Sequence, residues 1–181
     1  MGILHFFPQN VDKAPPRIMW DIGIDMSYPW AFFDGASQGN PSLCRGGTLH
    51  LSENHHFTFW AGLGMGTNNY AEVMALKLLI HFVVEKNTKR IQIYGNSLII
   101  INWAKKLQIC HIMRLILILE EIHRLISLFD DIIFKHVYRE LNRRVDELSK
   151  EAAQLAQGTW LIEDLSDIGA YGYYHRPYHE V

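Results

Sequence analysis

The chain has 181 residues, a length that suits one compact domain with short tails. With 49% apolar and 20% charged residues it is too hydrophobic for wholesale disorder. Seventeen Lys and Arg against nineteen Asp and Glu leave a net charge of −2, which excludes a polybasic coat protein, so any nucleic acid must be met through a local patch.

Two cysteines, Cys44 and Cys110, are too few for a disulfide framework or a thiolate zinc site and read as reduced, buried thiols. None of the ten histidines sits in an HExxH arrangement. The greasiest run, Leu115 to Leu119, lies between Arg114 and Glu120, far short of the roughly 20 apolar residues a spanning helix needs. No signal-peptide pattern opens the chain. The expectation is an intracellular protein of cytoplasm or nucleus, not secreted and with no membrane partner.

Residues 1–27 read as a lead-in or linker, punctuated by Pro15 and Pro16 and without a sustained period. Ala31-Phe32-Phe33 is a short apolar run closed by Asp34-Gly35, and Gly39-Asn40-Pro41 marks a turn. Gly46 to Leu51 and Phe57 to Ala61 read as two further strands with a turn-length link, which predicts an antiparallel meander. Tyr70, Val73, Met74, Lys77, Leu78 and Phe82 follow helical spacing, with Thr67 or Asn68 as N-cap. Ile91 to Tyr94 alternates as a fourth strand. Gly95-Asn96-Ser97 then opens a second helix that runs to about Lys106.

A third helical period runs Leu115, Leu119, Ile122, Ile126 and Phe129, with Glu120, Glu121 and Arg124 on its polar face. Ile132 to Val137 is a fifth strand. Leu141, Val145, Leu148, Ala152 and Leu155 predict a last helix over 140–157. Residues 159–181 read as an irregular, Tyr-rich tail. The order β-β-β-α-β-α-α-β-α predicts an α/β domain over residues 28–158. Its sheet is mixed and five-stranded, three antiparallel strands followed by two parallel ones, with helices on both faces.

Three acids fall at element ends: Asp34 closes the first strand, Glu72 lies early in the first long helix, and Asp146 lies early in the last. A carboxylate ending an Ala-Phe-Phe strand is costly unless a cation or donor meets it. Three such acids suggest a shared site of hard oxygen ligands, suited to Mg²⁺ or Mn²⁺. The competing reading makes Glu72 and Asp146 helix N-terminal acids that complement the macrodipole.

The motifs at these points resemble those of the ribonuclease H family. Asp34-Gly35-Ala36-Ser37-Gln38-Gly39-Asn40-Pro41 followed by Gly46-Gly47 looks like that family's first motif, and Thr67-Asn68-Asn69-Tyr70-Ala71-Glu72 like its second. Tyr94-Gly95-Asn96-Ser97 stands where its third motif has Asp-Ser. His136, Asn142 and Asp146, in His-Val-Tyr-Arg-Glu-Leu-Asn-Arg-Arg-Val-Asp, match its fourth with the same spacing. The resemblance covers roughly 28–157, and four motifs in order make it specific. The fourth string, and the absence of an inserted basic helix after the second helix, are in the style of plant and plant-retrotransposon members.

The resemblance implies a ribonuclease-H-like fold and a nuclease that hydrolyses the RNA strand of RNA/DNA hybrids by a two-metal-ion mechanism, leaving 5′-phosphate products. It implies Asp34, Glu72, Asn96 and Asp146 as the ligands of two Mg²⁺ ions, with Mn²⁺ as substitute, and His136 as an aid to proton movement or product release. Asn96 departs from the family's carboxylate: an amide oxygen brings no charge, so metal binding and rate should suffer. The intact remainder of the constellation favours an introduced Asp→Asn change over natural decay.

The resemblance further implies contacts to 2′-hydroxyls and phosphates from Gly35, Ala36, Ser37, Asn40, Thr67, Asn68, Asn69, Ser97 and Asn142. It implies Trp103 as an aromatic shelf beside a deoxyribose, although that residue reads equally well as core. From Lys86 to Arg114 there are six Lys or Arg and no acid, a local positive band in which Lys105 and Lys106 suit phosphates. The expected partners are the hybrid duplex and the reverse transcriptase domain of a common polyprotein, with the chain itself monomeric. The alternative is a ribonuclease-H-like domain that binds nucleic acid, or tethers a polymerase, without catalysis.

Overall fold

The computed structural model describes residues 23–33, 43–137, 157–166 and 171–178. Seven strands form one sheet: β1 (Trp30–Phe33), β2 (Leu43–Ser52), β3 (His55–Gly64), β4 (Arg90–Gly95), β5 (Asp131–His136), β6 (Thr159–Ser166) and β7 (Tyr171–Pro177). Three helices are described, α1 (Asn68–Glu85), α2 (Leu98–Ala104) and α3 (Met113–Ile126). The strand order across the sheet is β5-β4-β1-β2-β3-β6-β7.

β1 is central because every residue of Trp-Ala-Phe-Phe is buried, as a strand covered on both faces requires. It pairs antiparallel with β2, Phe32 opposite Thr48, and parallel with β4, Phe33 opposite Gly95. β4 pairs parallel with β5, Gly95 opposite His136. The meander followed by parallel strands is therefore the predicted α/β, ribonuclease-H-like sheet.

α1 is buried on every side from Tyr70 to Ile80, as expected of a helix apolar all round. It lies between the sheet, at β1 and β2, and α3. α3 by contrast is amphipathic, with Leu115, Ile118, Leu119, Ile122 and Leu125 inward. Side chains of all three helices join one core with Phe33, Leu49, Phe59 and Ile93 of the sheet. A second, smaller cluster of Ile24, Trp30, Phe32, Tyr94 and Val137 lies apart from it. The last predicted helix, over 140–157, falls almost entirely outside the described residues.

Two expectations are corrected. Residues 159–181 are not wholly an irregular tail: β6 and β7 widen the sheet from five strands to seven. β6 pairs antiparallel with β3, Trp60 opposite Leu161, and the Trp160 ring packs edge-on against Phe59 and Phe82. The Tyr178 hydroxyl donates to the Gly62 carbonyl at 2.6 Å and accepts from the Gly158 amide at 3.2 Å. Glu163 and Asp164 hid the strand from a hydropathy reading, yet Glu163 is buried, with Thr58 Oγ1 donating to its carboxylate at 3.3 Å.

The lead-in also ends earlier than residue 27. Ile24 is buried, and Gln92 Nε2 donates to the Asp25 carbonyl at 2.7 Å, so these residues already belong to the domain.

Candidate active site

The C-terminal ends of β1, β4 and β5 are level. Phe33, Gly95 and His136 stand side by side in the parallel register, so the last residues of the three strands lie at the same end of the sheet. In open sheets with parallel strands that end is where ligands bind, near the point at which strand order reverses. β1 is that point here, with parallel β4 on one side and antiparallel β2 on the other. Gly95 makes the junction tight: a Cβ there would collide with the Phe33 ring.

Asn96 follows Gly95 and is half-buried. Its main-chain oxygen lies 3.2 Å from Nε2 of the exposed His136, and the Val137 amide donates to the Gly95 carbonyl at 2.8 Å. The third and fourth motifs are thereby joined at one edge. Ser97 stands at the N-cap of α2 but makes no side-chain capping bond.

The second motif is held by a cap. Thr67 Oγ1 accepts from the Tyr70 amide at 3.1 Å, and the Thr67 carbonyl accepts from Ala71 at 3.1 Å. Of the two predicted caps the structure selects Thr67, so Asn68 begins the helix with an exposed side chain, and Asn69 follows partly buried. Glu72, one turn further in, is only 6% exposed. A carboxylate so buried is expensive unless donors or a cation meet it, which suits a ligand of a hard cation. The Arg114 guanidinium stacks 3.9 Å over the Tyr70 ring and ties the start of α3 to the first turn of α1. No sequence pattern marks that pairing, because the two residues belong to helices separated by β4 and α2.

Asp34, Gly35, Ala36, Ser37, Asn40, Asn142 and Asp146 lie outside the described residues. Among the described residues no group of three or more His, Cys, Asp and Glu could hold a metal ion. Lys105 and Lys106 are both exposed. Of its two readings Trp103 takes the core one in position: its side chain is buried in the cluster that includes α1 and α3 side chains, and its carbonyl lies 3.0 Å from His123 Nε2. No described helix is long and apolar enough to cross a membrane.

Residues 32–152 match the family model described as reverse transcriptase-like. No curated protein matches the chain. Among solved structures, ribonuclease H1 from the halophilic archaeon Halobacterium salinarum superposes with a TM-score of 0.65 at 28% identity, covering 72% of this chain and 100% of that one. LC11 ribonuclease H1, a compost metagenome protein solved in complex with an RNA/DNA hybrid, gives 0.61 at 24% identity, covering 69% and 96%. The prototype foamy virus protease–reverse transcriptase gives 0.53 at 14% identity, covering 73% of this chain and 22% of that one.

Proposed function

The chain belongs to the reverse-transcriptase-like family of ribonuclease H domains, and on that premise we propose that it acts on RNA/DNA hybrids as an endonuclease of the RNA strand. The observation that carries the reading is the level ending of β1, β4 and β5, which brings Asn96 and His136 to one end of the sheet. Asp34 follows Phe33 in sequence, and buried Glu72 lies on the helix that crosses β1.

The donor set is of hard oxygens without thiolates, which fits Mg²⁺ or Mn²⁺. Asp34, Glu72, Asp146 and the side-chain oxygen of Asn96 would hold two such ions. Bound there, the ions would supply the positive charge that activates an attacking water and stabilises the leaving 3′-oxygen. Glu72 would also orient a 2′-hydroxyl. Asn68, exposed at the start of α1, can both donate to and accept from that hydroxyl. Asn69 and Thr67 would border the same backbone, with Gly35, Ala36, Ser37, Asn40, Ser97 and Asn142 completing the contacts. Lys105 and Lys106 would meet phosphates without regard to sequence. His136, exposed at the rim and anchored on Asn96, would move a proton as product leaves.

With an amide at position 96 the site lacks one anion, so this chain would cleave slowly or not at all. That substitution favours a second reading, a domain that binds hybrid or tethers a polymerase without cutting. A plant retroelement is the source that the Arg-Glu-Leu-Asn-Arg-Arg-Val-Asp string supports, with a reverse transcriptase domain of the same polyprotein as partner. The test is Asn96→Asp with a labelled hybrid. Mg²⁺-dependent cleavage of the RNA strand alone is expected, at least about 100-fold above the parent chain. A variant that binds hybrid yet stays inert with Mg²⁺ and with Mn²⁺ would leave the binding reading in place of the enzyme.

A further inference from the structure

The connection between α2 and α3 exposes more apolar surface than folding explains. Leu107, Ile109, Met113 and Leu117 are each 65–79% exposed, and Ile112 is 47% exposed. Scattered single hydrophobics are ordinary on a surface, but a run of five within eleven residues marks a contact surface.

The ridge is preformed. The Leu107 amide donates to the Asn102 carbonyl at 2.8 Å, Asn102 Nδ2 donates to Gln108 Oε1 at 3.0 Å, and Cys110 is buried beneath. Lys106 closes α2 with φ of +60°, a conformation a side chain adopts only at some cost. Met113 and Leu117 lie one turn apart on the face of α3 opposite its buried stripe.

The ridge is flanked by Lys105, Lys106 and Arg114, and no acid occurs between Glu85 and Glu120. Two such surfaces facing each other across a two-fold axis would bring like charges together, which disfavours a second copy. A phosphate backbone would reward the lysines but would gain nothing from burying isoleucine, leucine and methionine against anionic oxygen. A protein segment with apolar side chains on one face and carboxylates around them satisfies both features. We propose that the α2–α3 connection is a docking surface for an acidic, amphipathic segment of a partner protein.

The probe is a synthetic peptide with leucines at helical spacing and glutamates elsewhere, with a composition-matched scramble as control. Binding to the full chain is read by fluorescence anisotropy at low and high salt. The amphipathic peptide should bind at least about tenfold tighter than the scramble, and more weakly as salt rises. The charge-neutral Ile109→Ser/Met113→Ser double variant should lose at least about tenfold of that affinity, while RNA/DNA-hybrid affinity and melting temperature stay unchanged. A peptide bound no better than its scramble overturns the proposal. A parallel loss of hybrid affinity in the variant would make the ridge a nucleic-acid surface. Concentration-dependent dimers abolished by the variant would make it an interface between copies.

Discussion

The Nε2 of His136 lies 3.2 Å from the main-chain oxygen of Asn96, although forty residues separate the two in sequence. The contact follows from the parallel pairing of β4 and β5, which puts Gly95 opposite His136. It engages the Asn96 backbone, so exchange of the side chain at 96 leaves it possible. In an Asn96→Asp background, His136→Ala should lower turnover by about 10- to 100-fold if His136 moves a proton. Hybrid affinity should change little, since the residue is not proposed as a phosphate contact. Single-turnover and steady-state cleavage on the pair of variants separates a slowed chemical step from slowed release.

Thr67, not Asn68, caps α1, and this divides two roles that the sequence left together. Thr67→Ala should cost about 1 kcal/mol, or roughly 2–4 °C in melting temperature. Asn68→Ala should leave the melting temperature within about a degree yet erode the preference for hybrid over DNA duplex, because a hydroxyl reader matters only where the hydroxyl exists. Affinities for both duplexes, measured beside the melting curves, test this. An equal fall in both affinities would remove Asn68 from 2′-hydroxyl recognition.

Lys106 holds a left-handed backbone at the end of α2, with φ of +60°. Lys106→Gly should raise stability by about 1 kcal/mol by relieving that conformation. If Lys106 meets a phosphate, the same variant should bind hybrid more weakly, with a salt slope shallower by about one. Thermal unfolding and a salt titration of affinity are the paired measurements.

The Tyr178 hydroxyl sits between the Gly62 carbonyl and the Gly158 amide and fastens the β6–β7 hairpin to β3. Tyr178→Phe leaves the ring in place and removes one of two donors to the Gly62 carbonyl, which keeps the Gly158 amide at 3.1 Å, so the cost should be about 0.5–1.5 kcal/mol. Hydrogen exchange should rise in β6 and β7 more than in β1 or β4.

Burial, aided by the positive charge of Lys77, holds the His81 imidazole below its usual 6.5, with Glu121 opposing the shift. The unfolded chain therefore takes up a proton more readily than the folded one. His81 gives no penalty above pH 6.5, and stability falls as pH drops from there toward the lowered folded value. His81→Gln should flatten the pH dependence of the melting temperature in that window. An unchanged slope would assign the acid sensitivity to other groups.

Much of the architecture is local enough to be read from order and period. The Trp-Ala-Phe-Phe run and α1 are apolar enough to be buried on all sides, and α3 buries a single stripe, so local pattern alone locates them. Glu72 was legible as an acid early in a helix, whereas Asn96 and His136 stood out only through their resemblance to the ribonuclease H motifs. Other features belong to the tertiary structure because their causes lie far apart in the chain. β6 is a strand because β3 offers it a partner and Thr58 meets the Glu163 carboxylate, neither of which shows in the hydropathy of 159–166. The burial of Trp103 is decided by the shared core that its side chain joins with those of α1 and α3. The Arg114–Tyr70 stack and the His136–Asn96 contact arise only when helices and strands distant in sequence are packed, since a side chain's partner depends on the neighbours that the whole fold brings to it.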